Sequence, residues 1–327
     1  IPLAMPKVSV GPNKFLWNMK TEPEPYCNYR VFEPPRGKIL GGTSSVNAMI
    51  YARGHPSDYD QWAQMGLKDW GFENVLPYFK RSEKHWGGDS EFHGASGPLK
   101  VSPSGVKNPL HELLNGAAKK IGIPITKDFN GIEPEGLARP DMTIGNGRRS
   151  STARAFLHPA MKRANLTVLT RAHAHKVLIE NRRAIGVRYL HQGDVKEAKA
   201  TGEVILSGGT YNSPQLLLLS GIGPGEELAA HGIKVEQNLL EVGYNLQEHA
   251  NAFLDFDLSQ PISLNADLRL DRLAVSAVRW QLFGTGPLAD FPTTTIGFLK
   301  VYAESDRPDI ETIAVPIWQE EKPWFPG

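Results

Sequence analysis

The chain has 327 residues, enough for two domains with sizeable cores. Its 36 Lys and Arg stand against 35 Asp and Glu, a formal net charge of +1 that removes the bulk electrostatic case for a nucleic-acid binder. No apolar run approaches the roughly 20 residues that cross a bilayer, and the single cysteine, Cys27, excludes an intrachain disulfide and a cysteine-based metal cluster.

Thirty-two glycines and 25 prolines predict many turns and structured loops rather than a helix bundle. The first marked element is RGKILGGTSSVNAMIYARG, residues 36–54, with four glycines, three small hydroxylated residues and flanking cations. Glycine lets a backbone approach a ligand closely, and hydroxyls and exposed amides can donate to phosphate oxygens. The competing reading is a structural loop. A P-loop is excluded, because Lys38 precedes the glycine pair.

Helical spacing follows over 57–66 and 71–85, with Val75, Leu76 and Phe79 opposite Glu73, Lys80 and Glu83. A turn and short strand are predicted over 93–102. An amphipathic helix covers 108–124, with Asn108 as cap, Pro109 at the first position and Gly122 as the stop. Residues 127–157 read as loop. Beyond them a strand is predicted at 165–170, then a β-meander turning near Asn181 and Gly193. Residues 203–209, EVILSGG, read as a continuous apolar strand, followed by a helix with Ser213 as N-cap and Pro214 at its first position. A buried strand, a small-residue turn and a capped helix make half of a nucleotide-binding unit. Strands at 251–258 and 293–304 flank a helix near 268–283. Both ends of the sequence read as cuts, so a piece of a longer protein is expected.

Spacing narrows the choice. Gly37, Lys38, Leu40, Gly41–Gly42, Thr43–Ser44, Val46, Asn47, Tyr51, Gly54 and Asp60 form one signature. Gly209, Thr210, Ser213–Pro214, Leu216–Leu217 and Ser220–Gly221–Ile222–Gly223 form a second. With TEPEP at 21–25, GRRSSTARAFL at 147–157 and EVGYNLQEHA at 241–250, the sequence resembles the glucose–methanol–choline (GMC) oxidoreductases, on the choline-dehydrogenase-like bacterial branch. The resemblance covers nearly the whole chain. It implies an α/β chain, α+β overall: an incomplete Rossmann-like FAD-binding domain with a substrate domain built on an antiparallel sheet and helices. The corresponding divisions are FAD-binding elements and a flavin-covering loop in 1–110, substrate-domain helix and loops in 111–164, FAD domain in 165–250 and substrate domain in 251–327.

Carried over residue by residue, the resemblance puts Arg36, Gly41, Gly42, Ser44 and Asn47 along the pyrophosphate, ribityl and flavin portions of FAD. Ala48 and Met49 pass near the isoalloxazine, Ala174 meets the adenine, and Ser207, Gly208 and Gly209 lie beside the adenosine. Val46 stands where some choline-oxidising relatives carry a flavin-linked histidine, which implies noncovalent FAD. The family's GxGxxG unit and its catalytic histidine pair are expected before residue 1 and beyond Gly327, so no catalytic residue is assigned here, and the piece alone is expected to be inactive. Choline-oxidising relatives place a glutamate four residues before the phenylalanine of a GxF segment. Here that position is Thr294, and Phe291 and Trp318 are candidate walls of the substrate space.

The other tempting residues have plainer readings. His249 matches a family histidine that is not the base. His173 and His175 lack a third ligand, so no metal is assigned. His93 shapes a turn. Arg148–Arg149 offer an anion site, with loop anchoring the preferred reading. The implied reaction is oxidation of an uncharged primary or secondary alcohol to aldehyde or ketone, with hydride passing to flavin N5. Alternatives are a hydroxynitrile lyase-type flavoprotein and a non-catalytic flavin-binding remnant. A small-molecule alcohol is the expected partner, with no nucleic acid and an electron acceptor left open among quinone, dye and oxygen; the cytoplasm is the favoured location.

Overall fold

The computed structural model describes residues 1–5, 13–302 and 304–317. It divides into two compact units, Ile1–Lys162 with Asp255–Gly327, and Arg163–Leu254.

In the larger unit, α1 (Pro56–Gln64) starts on a capping box: the His55 amide donates to Asp58 Oδ2 at 2.8 Å, and its ring accepts from the Ser57 amide. Its Tyr59 packs edge-on to Phe79 of α2 (Phe72–Ser82). The helical spacing predicts a helix to residue 85, but α2 stops at Ser82 and the chain turns extended into β1 (Glu83–His85), parallel to β2 (Leu99–Pro103). The reason is Glu83, whose carboxylate is drawn into a buried ion network and takes its backbone out of the helix.

Helix α3 (Leu110–Lys120) begins where the Asn108 side chain accepts from the Leu110 amide at 2.9 Å, and it stops before Gly122. The loop-rich stretch after it contributes β3 (Gly136–Ala138) and β4 (Asp141–Met142), which pairs with β2.

The smaller unit carries a β-meander, β5 (Ala172–Glu180), β6 (Arg183–His191) and β7 (Asp194–Lys199). Both connections are two residues long with both residues at positive φ, Asn181–Arg182 and Gln192–Gly193, the backbone that matches strand twist in a tight hairpin. Helix α4 (Gly209–Leu219) docks on β5 through Ser220, whose hydroxyl accepts from the Val177 amide at 2.8 Å and donates to the Leu216 carbonyl. A short α5 (Gly225–Ala230) follows.

Three expectations fail in this unit. Residues 165–170 and 203–208 form no strand, and Ile205 is 80% exposed. A strand needs a hydrogen-bonded neighbour, and neither segment has one among the described residues. Helix α4 begins four residues before Ser213, whose hydroxyl reaches back to accept from the Gly208 amide, and Pro214 lies inside the helix.

Residues 251–254 of the smaller unit and 255–258 of the larger also form no strand. Helix α6 (Leu270–Phe283) is anchored by Trp280, which donates to the Gly147 carbonyl at 2.6 Å. Strand β8 (Thr295–Leu299) is the centre of an antiparallel sheet, between β9 (Ile310–Ala314) and β3. The chain is thus a mixed α/β protein with an antiparallel sheet in its larger unit. Two apolar clusters hold this unit: Met49, Met142, Ile144 and Phe291, and Phe129, Ala138 and Ile296; Ile50 packs against both. Full burial of a side chain such as Ile296 is worth about 1.5–3 kcal/mol. Among the described residues, no helix is long and apolar enough to cross a membrane.

Candidate cofactor site

Residues 36–54 form a turn tied down at both ends. Its entry pairs with the segment 15–17: the Trp17 amide donates to the Arg36 carbonyl, and the Lys38 amide to Phe15. Lys38 Nζ lies 4.5 Å from the centre of the Trp17 ring. Gly41 and Gly42 are both left-handed, φ +88° and +54°. A Cβ on Gly42 would meet nothing within 4 Å, so this backbone faces open space.

The small hydroxyls point inward. Ser44 Oγ donates to the Gly41 carbonyl and accepts from the Thr152 amide at 3.0 Å. Ser45 Oγ donates to the Leu40 carbonyl at 2.8 Å, and Thr43 Oγ1 accepts from the Gly37 amide. The sequence offers these hydroxyls as phosphate donors; the structure commits both serines to bracing the turn.

Further along the turn, Asn47 is exposed and Val46 buried. Asn47 Oδ1 accepts from the Met49 amide at 3.1 Å and from Arg149 Nη1 at 2.7 Å. Met49 is a non-glycine residue at φ +66°, a conformation that costs about 1–2 kcal/mol and persists only when its surroundings enforce it. They do: the Thr143 amide and hydroxyl both donate to its carbonyl, and its side chain lies in the core with no exposed surface. Met49 therefore sits behind the turn; half-buried Ala48 and exposed Asn47 are the residues left at the surface.

A buried ion network supports the outgoing segment, residues 51–54. Arg53 Nη2 and Glu83 Oε1 pair at 2.8 Å with side chains 3% and 0% exposed. His93 bridges Glu83 (3.2 Å) and Asp128 (2.8 Å) and stacks on His85, which reaches Asp141 at 2.8 Å. Burial pushes the His93 pKa down, but hydrogen bonds from its two nitrogens to Asp128 and Glu83 outweigh it and raise the value to about 9. Burial likewise opposes the charge on Glu83 and Asp128, yet the bonds they accept from His93 hold both below the ordinary carboxylate range. Asn130 links this network to the turn, accepting from the Arg53 amide at 2.7 Å and donating to the Tyr51 carbonyl.

Residues 19–251 match the family model described as GMC oxidoreductase. The chain belongs to the GMC oxidoreductase family. It is 40% identical over 301 residues to an oxygen-dependent choline dehydrogenase of Brucella anthropi, covering 92% of this chain and 55% of that protein. It is 40% identical over 305 residues to the same enzyme of Sinorhizobium fredii, again with 55% of the relative covered. The chain thus spans about half the length of these relatives. A solved formate oxidase superposes with a TM-score of 0.84 at 25% identity, over 97% of this chain and 61% of the other. A pyridoxine 4-oxidase from Mesorbium loti gives 0.68 at 32%, over 72% and 47%.

The GMC chain's residues fit a flat anionic cofactor at this turn. Gly42 leaves an open face, and further along the same turn Ser44 and Asn47 hold a half-buried guanidinium, Arg149, whose Nη1 bonds two neutral oxygens. Arg36 is half-buried, with Nη1 on the Pro35 carbonyl.

In the smaller unit, Ala174 lies at an irregularity of β5, where His175 has no partner across the ladder. Ser207, Gly208 and Gly209 are exposed, Gly209 is at φ +84° with open space where a Cβ would stand, and the Gly208 amide is taken by Ser213. Thr294 is 1% exposed and its hydroxyl donates to the Ala314 carbonyl, while Phe291 is buried against Met49. Trp318 lies outside the described residues. His173 and His175 are edge to face at 5.2 Å, and no group of three potential metal ligands forms among the described residues.

Sequence reasoning missed the ion network; for Arg149 it preferred loop anchoring, and the Nη1 bond to the Ser44 carbonyl is such an anchor. Arg149 was legible within the family segment 147–157, whereas nothing in the spacing around Arg53 points to Glu83, His93 or Asp128.

Proposed function

We propose that the full-length protein holds noncovalent FAD against the turn of residues 36–54 and oxidises an uncharged primary or secondary alcohol to the aldehyde or ketone. The observation that carries this reading is the left-handed Gly41–Gly42 backbone, open at Gly42 and braced from within at Gly41, in a turn whose residues Ser44 and Asn47 hold a guanidinium that meets no carboxylate among the described residues. When bound, FAD supplies the hydride acceptor.

The residues of this chain hold and orient. Gly41, Gly42 and Asn47 are assigned to the pyrophosphate and ribityl portions, with Arg36 at the entrance. Ser44 acts by fixing the turn, since its hydroxyl is committed. Ala48 is assigned to the isoalloxazine, and Met49 positions Ala48 and Asn47 from behind. Ala174 and Ser207–Gly209 are assigned to the adenosine end. No histidine here is assigned as the base: His93 is locked between two carboxylates and His111 between Thr295 and Asn115. Val46 has no nucleophile and is 2% exposed, so acid or heat precipitation of the holoenzyme should leave flavin in the supernatant. Flavin pelleting with the protein contradicts the noncovalent assignment.

Choline should be a poor substrate. Thr294 brings no charge, and losing a close, partly desolvated charge pair costs on the order of 2–4 kcal/mol, roughly 30- to 1,000-fold in binding. Incubation with FAD, an artificial electron acceptor and a panel of choline, benzyl alcohol and a medium-chain 1-alkanol tests both levels. Dye reduction with the neutral alcohols supports the reading. A kcat/KM for choline equal to theirs removes the substrate assignment, and silence with every alcohol removes the activity.

A further inference from the structure

The inward hydroxyls leave open which groups on this face would meet an anion. Ser44 and Ser45 donate their protons to Gly41 and Leu40 carbonyls. Two side chains keep donors to spare. Arg149, in the two-residue strand Arg148–Arg149, spends Nη1 on the Ser44 carbonyl at 3.1 Å and on Asn47 Oδ1 at 2.7 Å. Both acceptors are neutral. Its Nε and Nη2 bond to no described residue and are not sealed from solvent. Burial alone pulls its pKa down to about 10, with no carboxylate acting against that shift. Arg148 does not share the role, because its guanidinium lies 4.6 Å from the Trp280 ring centre.

Asn47 is oriented by the same contact. Its Oδ1 is filled by the Met49 amide and by Arg149, which fixes the side-chain amide and leaves Nδ2 directed away from them on an exposed residue. A half-buried cation without a counter-ion is costly to keep. A guanidinium with one nitrogen anchored and two donors free matches the oxygen pairs of a phosphate.

We propose that Arg149, together with Asn47 Nδ2, forms a subsite for the diphosphate of FAD, recognising its charge rather than the flavin ring. This rests on the reading that the turn carries FAD. Arg149 also braces Ser44 and Asn47, so the test must separate charge recognition from bracing. Apoprotein of the full-length enzyme, wild type, Arg149→Gln and Arg149→Lys, is titrated with FAD and with riboflavin, which has no phosphate, by quenching of flavin fluorescence. Arg149→Gln should weaken FAD roughly 10- to 100-fold, the range for hydrogen bonds to a charged group, and leave riboflavin within about twofold. Arg149→Lys should fall between, keeping the charge and losing the fork. Should Arg149→Gln fail to fold in a melting experiment, a loss for FAD but not riboflavin in Arg149→Lys carries the same conclusion. Equal loss for both flavins, or no loss for either, overturns the diphosphate subsite while the cofactor reading stands. Wild-type protein that takes up neither flavin overturns the cofactor reading, and this inference with it.

Discussion

Arg53 and Glu83 in the larger unit pair at 2.8 Å with side chains 3% and 0% exposed; Arg188 and Glu197 on the meander pair at the same distance with 46% and 44% exposed. The contact is the same and the consequence is not. On the meander each charge keeps its water, side-chain entropy offsets the attraction, and the pair contributes less than about 1 kcal/mol. Around Glu83 the ions have left water, and each is tolerable only while its partners remain. The meander is held by ladders and hairpins that need no such network. The larger unit fixes irregular segments, 49–54, 83–94 and 126–131, by polar groups that must all be in place. Its coherence is therefore more sensitive to single changes and to pH.

The largest expected effect breaks this comparison directly. Glu83→Ala leaves Arg53 and His93 buried without their shared carboxylate and should destabilise by about 3–5 kcal/mol. Glu197→Ala on the meander should cost under about 1 kcal/mol. Urea unfolding of the two variants in the full-length protein compares them, and equal losses would remove the distinction.

The second effect is pH dependence. The pKa of folded His93 is raised from the usual 6.5 to about 9, so its contribution is fully present below about 6.5 and is lost as pH rises towards and through 9. The groups facing it are Glu83, Asp128 and the stacked His85, with Arg53 behind Glu83 and Asp141 behind His85. Glu83 and Asp128 have depressed values and act at the other end, losing their contribution only in acid. Between pH 6.5 and 9.5 stability should fall by on the order of 1–3 kcal/mol, and His93→Asn should flatten that slope. Melting temperatures across this range read it; a slope unchanged by the substitution assigns it elsewhere.

The same contrast explains what the sequence made legible. The meander was readable because its information is local: Asn181 and Gly193 mark turns that two neighbouring residues decide. The glycine-rich turn was recognisable from composition and spacing, which identify the segment but not where its hydroxyls point. Residues 203–208 were misread because an apolar run records a wish for neighbours, not their presence, and Ile205 is left exposed. The ion network was illegible for another reason. Arg53, Glu83, His93 and Asp128 come from three separate segments, and nothing in the spacing around any one of them announces the others. Helix α2 ran past its true end for that reason, since what removes Glu83 from the helix lies 30 residues upstream, at Arg53, and ten downstream, at His93.

The smallest effect sharpens the comparison at the level of one methyl group. Gly41 in the cofactor turn and Gly193 in the β6–β7 hairpin have nearly the same backbone, φ +88° and +90°. An alanine at either pays for the left-handed conformation, about 1 kcal/mol. Their surroundings differ. A Cβ on Gly193 meets nothing within 4 Å, so Gly193→Ala should cost that strain alone. A Cβ on Gly41 would stand 2.6 Å from Ser45 Oγ and 3.1 Å from Ala153. To make room, Ser45 must give up its bond to the Leu40 carbonyl or the turn must shift off the backbone at Ala153, adding about 1–2 kcal/mol. Gly41→Ala should therefore cost about twice as much or more in urea unfolding. It should also weaken FAD and riboflavin together, because it displaces the whole turn, whereas Gly193→Ala should leave both titrations unchanged. Equal stability losses for the two alanines would mean that the bracing hydroxyls of residues 43–45 contribute little to the shape of the turn.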